Sequence, residues 1–389
     1  SFLMYNDISA MSRLHRSASA QMSRPAISIQ KSGGWTFGSP SVLMMFYRAS
    51  GELQSELTEM DECMPHYYKI TSGHGQGAET IMRAEADFMR ACFADAQIML
   101  ERAYAQIDGN GQENMALCCD FLAWRLSLCT SFTPRESFEQ RREALLGLHN
   151  VAWLNILQSS CAYYYALLGL PEKIPAVFRE HQLASIHFLA PGKPMMELIE
   201  NQVYLAQGEY AKVIGHSEAL LGMCEAMHYA LVALHIRLQA AAAYEMLGKR
   251  ETADELLISA LAAAEPDALY LPFVENYRYL KTALTRGAGA KFAAFVRTVT
   301  PLGEDFVRRC GEKRAEGSRP AALAGLTERE SAIAALVAKR LSNREIAEQL
   351  FLSEGSVKQY INQIYSKLHI DGDTRTKRQQ LLSLLNANS

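Results

Sequence analysis

Apolar residues in the last sixty or so positions of this chain are spaced for short helices. Val357, Ile361, Ile364 and Leu368 fall at i, i+4, i+7 and i+11, which puts them on one stripe of a single helix. The opposite stripe, Lys358, Gln359, Asn362 and Ser366, is polar and contains no acid. Ser353 stands in front of this helix as a good N-cap. Upstream, Thr327-Glu328-Arg329-Glu330 and Ser342-Asn343-Arg344-Glu345 are both capping boxes, in which a hydroxyl and a carboxylate reciprocally satisfy orphan amides at a helix start. A second helix runs through Ile346, Ala347 and Leu350 and breaks at Phe351-Leu352-Ser353. Four short helices are predicted from Leu326 onward. A helix that buries one stripe on its neighbours and shows such a polar face fits the major groove of a duplex.

The preceding 310 residues have a different texture. They read as helix almost throughout, rich in Ala, Leu, Met and Glu, with few β-branched runs. They also repeat. Tyr204-x-x-Gln207-Gly208-x-Tyr210-x-x-Val213 and Ala241-x-x-Tyr244-x-x-Leu247-Gly248-x-x-x-x-Ala253 superpose at an offset of about 40 residues. Cys92 to Ala96, with Leu100 and Ala103, occupies the same frame earlier; Leu168-Gly169 with Phe178 is a further copy, and Phe138 to Ala144 a degenerate one. Small residues on a first helix permit close contact, a glycine turns the chain, and an aromatic or Ala packs the second helix back. In the first ninety residues, Ser39 to Arg48 and Glu52 to Cys63 are predicted helical, whereas Lys31 to Trp35 and Pro65 to Gly77 are irregular. The segment 311–325, charged and bearing Gly and Pro without apolar periodicity, reads as a flexible linker. The chain opens on Ser1-Phe2-Leu3-Met4, which reads like the middle of a helix, so a longer protein is expected.

Two resemblances follow from these residues. Leu326-Thr327-x-Arg329-Glu330, Leu341-Ser342-Asn343-Arg344-Glu345-Ile346-Ala347 and Leu352-Ser353-Glu354-Gly355-Ser356-Val357-Lys358 resemble, in order, the LuxR/GerE-type helix-turn-helix. The resemblance implies base-facing roles for Lys358, Gln359 and Asn362. It implies contacts to the DNA backbone near Thr327, Ser342, Asn343, Ser353 and Ser356; Tyr360 and Lys367 complete the expected DNA-binding set. It also implies a dimerisation helix from about Thr374, offering Leu381, Leu382 and Leu385. Ala332 and Tyr360 depart from the family, which usually has Glu and often His there. The repeated helices resemble the tetratricopeptide repeat, stretched beyond its usual length. Together the two parts resemble the C-terminal half of MalT-like signal-transducing ATPase regulators, in which a nucleotide-binding domain comes first.

Composition narrows the classes. Nearly half of the 389 residues are hydrophobic, enough for a large core, and the length calls for two or more domains. No run of eighteen apolar residues and no signal sequence appears, so no membrane partner is expected. The eight cysteines show neither a C-x-x-C pair nor zinc spacing, which points to reduced thiols in the cytoplasm and to no metal. The net charge of −3 is unevenly spread: from 326 onward, nine Lys/Arg face seven Asp/Glu, leaving the rest acidic. A small positive module on an acidic body can bind a duplex if its cations share a face, and Arg344, Lys358, Lys367, Arg375, Lys377 and Arg378 are candidates.

Enzyme signatures fail on inspection. Gly73 to Thr80 is glycine-rich but ends Ala78-Glu79-Thr80 where a phosphate loop needs Gly-Lys-Ser/Thr, and Glu79 would repel phosphate. Gly215-His216-Ser217-Glu218-Ala219 lacks the final glycine of a nucleophile elbow. Tyr163-Tyr164-Tyr165 with Trp153 and Trp124 offers either core or a ligand wall. In the repeat frame Ser159, Tyr163, Gln202, Leu205, His235 and Glu245 are predicted to point into a concave groove suited to a small-molecule or peptide effector. The sequence thus predicts an all-α chain: a helical-repeat solenoid (1–310), a linker (311–325) and a four-helix DNA-binding domain (326–389). The expected function is a non-enzymatic transcription regulator without cofactors in this chain, coupling effector or partner sensing to binding of double-stranded DNA as a homodimer. The alternative is a helical-repeat interaction scaffold without sequence-specific DNA binding.

Overall fold

A computed structural model describes residues 8–26, 40–186, 190–287, 289, 291–317, 326–373 and 376–381. These residues are helical, with no strand among them. They fall into two compact units, Ser1–Gly311 and Glu312–Ser389. The larger unit contains α1 (Ile8–Gln21), α2 (Val42–Phe46), α3 (Leu53–Thr71), α4 (Ala78–Met89), α5 (Phe93–Ile107), α6 (Glu113–Cys129) and α7 (Phe138–Leu146). It continues with α8 (Val151–Leu168), α9 (Ala176–Arg179), α10 (Lys193–Gln207), α11 (Tyr210–Ala226), α12 (Ala230–Met246) and α13 (Arg250–Ala264). The short α14 (Leu271–Glu275) and α15 (Tyr277–Gly287) follow, then α16 (Ala293–Gly317), which runs past the boundary at Gly311. The smaller unit carries α17 (Glu328–Ala338), α18 (Asn343–Leu350), α19 (Glu354–Lys367) and a last helical stretch, 376–381.

The offset read from the sequence has a backbone cause. Gly208, His228, Gly248 and Ala268, twenty residues apart, all have left-handed backbone, with φ of +77°, +54°, +75° and +57°. At each, the next amide donates to the carbonyl five residues back: Glu209 to Tyr204 at 2.9 Å, Tyr229 to Cys224 at 2.9 Å, Lys249 to Tyr244 at 2.9 Å and Leu269 to Ala264 at 3.1 Å. This closure ends a helix and reverses the chain. Gly169 closes α8 the same way, with Leu170 donating to Tyr165 at 3.0 Å. Links this short make consecutive helices antiparallel neighbours, and α10 to α13 pack in sequence.

Two helices lie inside. α6 and α12 are buried on nearly every side, and α12 achieves this with Ala240-Ala241-Ala242-Ala243, which lets neighbours approach closely. Several of their polar residues are paired with others from distant parts of the chain, whereas neither ring nitrogen of the buried His235 has a hydrogen-bond partner among the described residues. Arg125 donates to Glu275 at 2.8 Å, Tyr163 donates to the other Glu275 oxygen at 2.8 Å, and the guanidinium lies over Phe88, Phe121 and Tyr163. Arg141 and Tyr104 converge on Asp120 at 2.6 and 2.7 Å. Gln239 donates to Gln202 at 2.8 Å, and Gln202 to Asn276 at 3.3 Å.

This interior corrects the expected groove. Ser159, Tyr163, Gln202, Leu205 and His235 are buried, and burial, with the Arg125 charge adding to it, holds the His235 imidazole well below its ordinary pKa. Glu245 is elsewhere, on the outer side, paired with Arg286 at 2.7 Å. The physical reason is the α14 segment: Glu275 and Asn276 take up Tyr163 and Gln202, so the inner faces meet protein. Trp124, Trp153 and Tyr163 are core, and Tyr164 and Tyr165 pack partly buried on Phe138.

Other expectations shift in place. α3 continues through Pro65 to Thr71, because Tyr67 and Thr71 extend its buried stripe and outweigh one lost backbone hydrogen bond. α16 continues through Gly311 to Gly317, the first half of the expected linker, where Glu312-Lys313-Arg314-Ala315-Glu316 are good helix formers; 318–325 lie outside the described residues. Lys31 to Trp35 lie outside them too. Gly73 to Gly77 is a loop before α4, and Gly215 to Ala219 sits inside α11. Ala241 is fully buried. Ala241→Leu is therefore expected to cost about 1–3 kcal/mol through overpacking, against a change within about 0.5 kcal/mol for Lys249→Ala on the surface. Thermal melts of both variants check this, and equal shifts would contradict the packing described.

Candidate nucleic-acid interface

The smaller unit is built from its caps inward. Thr327 accepts from the Glu330 amide at 3.3 Å while Glu330 accepts from the Thr327 amide at 2.7 Å. Ser342 and Glu345 make the same exchange at 3.3 and 2.7 Å, and Ser353 accepts from the Ser356 amide at 3.1 Å. Three helix starts are thereby fixed within one small bundle. The turn between α18 and α19 passes through Phe351 in left-handed backbone, φ +53°, and Leu352 donates back to Ala347 at 2.9 Å. Phe351 is 95% exposed, and nothing in the packing explains an aromatic there.

Burial then orients α19. Val357, Ile364 and Tyr365 are buried with Ile333, Ala334, Val337, Ile346 and Ala347, and Tyr360, Ile361 and Leu368 pack partly buried beside them. Lys367 at the end of α19 reaches the buried carboxylate of Glu330 at 2.7 Å, tying it to the start of α17. That lysine, then the Thr327 amide, holds Glu330 below the ordinary carboxylate range. The Ser342 amide and hydroxyl do the same for Glu345. Arg378 donates to the carbonyls of Val337 and Leu341, at 3.3 and 2.6 Å, satisfying the end of α17.

What remains on the outer face of α19 is Lys358, Gln359, Asn362, Gln363 and Ser366, all exposed. Lys358, Gln359 and Asn362 make no hydrogen bond or ion pair among the described residues. These are the donors and acceptors that base edges in a major groove require. Thr327, Ser342 and Asn343 are exposed at the starts of α17 and α18; Ser353 is exposed and Ser356 half-buried at the start of α19. A helix start, with its outward amides and positive dipole end, suits a phosphate. Tyr360 is half-buried on the apolar side, and Lys367 is committed to Glu330, so both differ from the open DNA contacts expected of them.

The cations do not form a single free patch. Arg344 pairs with Glu348 at 3.1 Å, Lys377 lies over Tyr365, and Arg378 is turned inward. The structural roles of Lys367 and Arg378 were missed in the sequence because each partner is more than thirty residues away. Of the dimerisation set, Leu381 is buried in the core of its own unit and so is not free for a partner. Thr374, Leu382 and Leu385 lie outside the described residues, as does Arg375.

Comparison with known proteins agrees with this geometry. Residues 324–378 match the family of bacterial regulatory proteins of the luxR type. A transcriptional regulatory protein, LnrK, of Bacillus subtilis is 40% identical over 68 residues, covering 16% of this chain and 31% of that protein. The DNA-binding transcriptional activator DevR/DosR of Mycobacterium tuberculosis is 36% identical over 53 residues, 14% of this chain and 24% of that one. The chain thus spans about a quarter to a third of the length of these relatives. No solved structure matches it. The C-terminal unit contains a LuxR/GerE-type helix-turn-helix domain, with α18 and α19 as its two helices.

Lys358 is the unpaired cation on the outer face of α19. Lys358→Ala is expected to weaken binding to a preferred duplex by roughly 1–3 kcal/mol, with a smaller loss on unrelated duplexes. A uniform loss with a salt slope reduced by about one would place Lys358 on phosphate instead. Unchanged affinity on every duplex, with the fold intact, would contradict the assignment.

Proposed function

We propose that this chain is a DNA-binding transcription regulator whose helical body senses an effector or partner and whose C-terminal domain binds promoter DNA. One observation carries the DNA-binding half: the unclaimed, acid-free face of α19 in a domain of the luxR type. The two similar proteins are named as transcriptional regulators, which supports the same reading.

The sensing half rests on the body. Helix ends at twenty-residue intervals support a stretched tetratricopeptide-like repeat of 40-residue hairpins. A repeat body followed by a LuxR-type domain fits the arrangement of MalT-like regulators, where a nucleotide-binding domain precedes the body. On this reading the effector binds one state of the body better than another, and only that difference can alter how C-terminal domains are presented to DNA. Pairing of two chains on DNA, and a cytoplasmic location, belong to the same proposal. Among the described residues no helix is long and apolar enough to cross a membrane.

Retention of the whole chain on duplex DNA at graded salt tests this. The expected affinity falls roughly ten- to a hundredfold between 50 and 200 mM salt, as counterion release by a few phosphate contacts requires. No retention at low salt, on duplexes drawn from a random pool, would overturn the proposal.

A further inference from the structure

The helical body holds a cavity of about 790 Å³ between Tyr47–Ser50, the C-terminal half of α11 and the first half of α12. Leu221, Ala233, Leu234 and Ala263 give it an apolar wall. The Cys224 thiol, pushed up to about 12 by burial, keeps that wall uncharged. Arg237 stands against this wall, half-buried, with no hydrogen bond or ion pair among the described residues. Among the described residues of the body, the other arginines that are not exposed each have a partner. Arg48, Arg83, Arg125, Arg141 and Arg309 are each paired with a carboxylate, and Arg278 donates to the Leu167 carbonyl. The Arg237 nitrogens are not sealed from water and are free to take a ligand, and a planar oxyanion is the partner the guanidinium fork fits best.

A second observation points the same way. Gly222 sits inside α11 on the cavity wall, and a side chain added there would meet nothing within 4 Å. Glycine destabilises a helix interior by roughly 0.5–1 kcal/mol relative to Ala, and no close contact requires it here. Gly222 is exposed, so a longer side chain at this lining position would stand in the mouth of the cavity. Gly215 opens likewise on another cavity of about 690 Å³, but the groups there are already engaged: Lys193 with Glu197 at 3.4 Å, and His181 with Gln207 at 2.8 Å and stacked on Tyr204.

We propose that the cavity at Arg237 binds a small carboxylate with an apolar body, the carboxylate on the guanidinium and the hydrocarbon against Leu221, Leu234 and Ala263. A simple organic acid and an apolar amino acid share this chemistry; the ammonium of the latter would meet Glu218 or Glu225, both exposed, among the cavity residues. The volume lies within the usual range for small-molecule sites. This deepens the sensing half of the proposed function and rests on it only in calling the ligand an effector.

Calorimetric titration of the whole chain tests it, with octanoate, phenylacetate, leucine and phenylalanine as probes and octan-1-ol and phenylacetamide as neutral counterparts. At least one carboxylate is expected to bind with a Kd below about 1 mM, and its neutral counterpart at least about tenfold more weakly. Arg237→Met and Gly222→Leu should each weaken binding at least about tenfold, and Lys249→Ala should not. Gly222→Leu improves helix propensity, so its loss of binding cannot be assigned to misfolding. Binding of the plain acids identifies an organic acid, and binding of the amino acids alone identifies a zwitterion. Absence of binding by all four carboxylates at about 1 mM, or full binding by Arg237→Met, overturns the proposal. Duplex affinity measured on the same samples separates that failure from failure of the DNA-binding reading.

Discussion

The C-terminal unit of this protein depends on the burial of one side of α19. Val357, Ile364 and Tyr365 cannot leave the small core without exposing α17 and α18 as well, and Lys367 pins the far end of the helix to Glu330. Once that side is fixed, the helix has no rotational freedom, and Lys358, Gln359 and Asn362 are presented outward. The domain has only a few dozen residues with which to bury apolar surface, so its caps matter more than they would in a larger core. Three N-caps and the Arg378 contacts at the end of α17 satisfy backbone groups that such a core leaves near water.

This is also why the C-terminal domain was legible in the sequence. Capping boxes and a period near 3.6 are local signals, and the helix starts at Thr327, Ser342 and Ser353 fall where those signals put them. What was not legible depends on distance along the chain. Lys367 reads as a free cation until Glu330 is brought beside it. Leu381 reads as part of an open apolar face until the bundle closes over it. The break at Phe351 was legible but its left-handed backbone was not, because that conformation is normally announced by Gly or Asn.

In the body, the offset of about 40 residues was clearest where glycine marks the turn, at Gly208 and Gly248. The intervening turns at His228 and Ala268 make the same hydrogen bond without glycine and were silent. The repeat frame located residues on inner helices, yet it took an inner position for an open one. Enclosure is a property of the closed assembly: α14, five residues long, brings Glu275 against Tyr163 and Arg125 and so turns a presumed groove into core. Breaking such a buried pair from one side leaves a charge without its partner, which is far more costly than a lost surface pair. The cavity at Arg237, by contrast, lies between segments nearly two hundred residues apart, Tyr47–Ser50 and α11–α12, and no local pattern announces it.

On the proposed function, α19 reads base edges in the major groove. Methylation protection on a duplex selected by the whole chain from a random pool tests it most directly, because guanine N7 lies in that groove. N7 protection is expected over a few successive base pairs within the bound site. A duplex that is bound while every N7 stays fully reactive would contradict it.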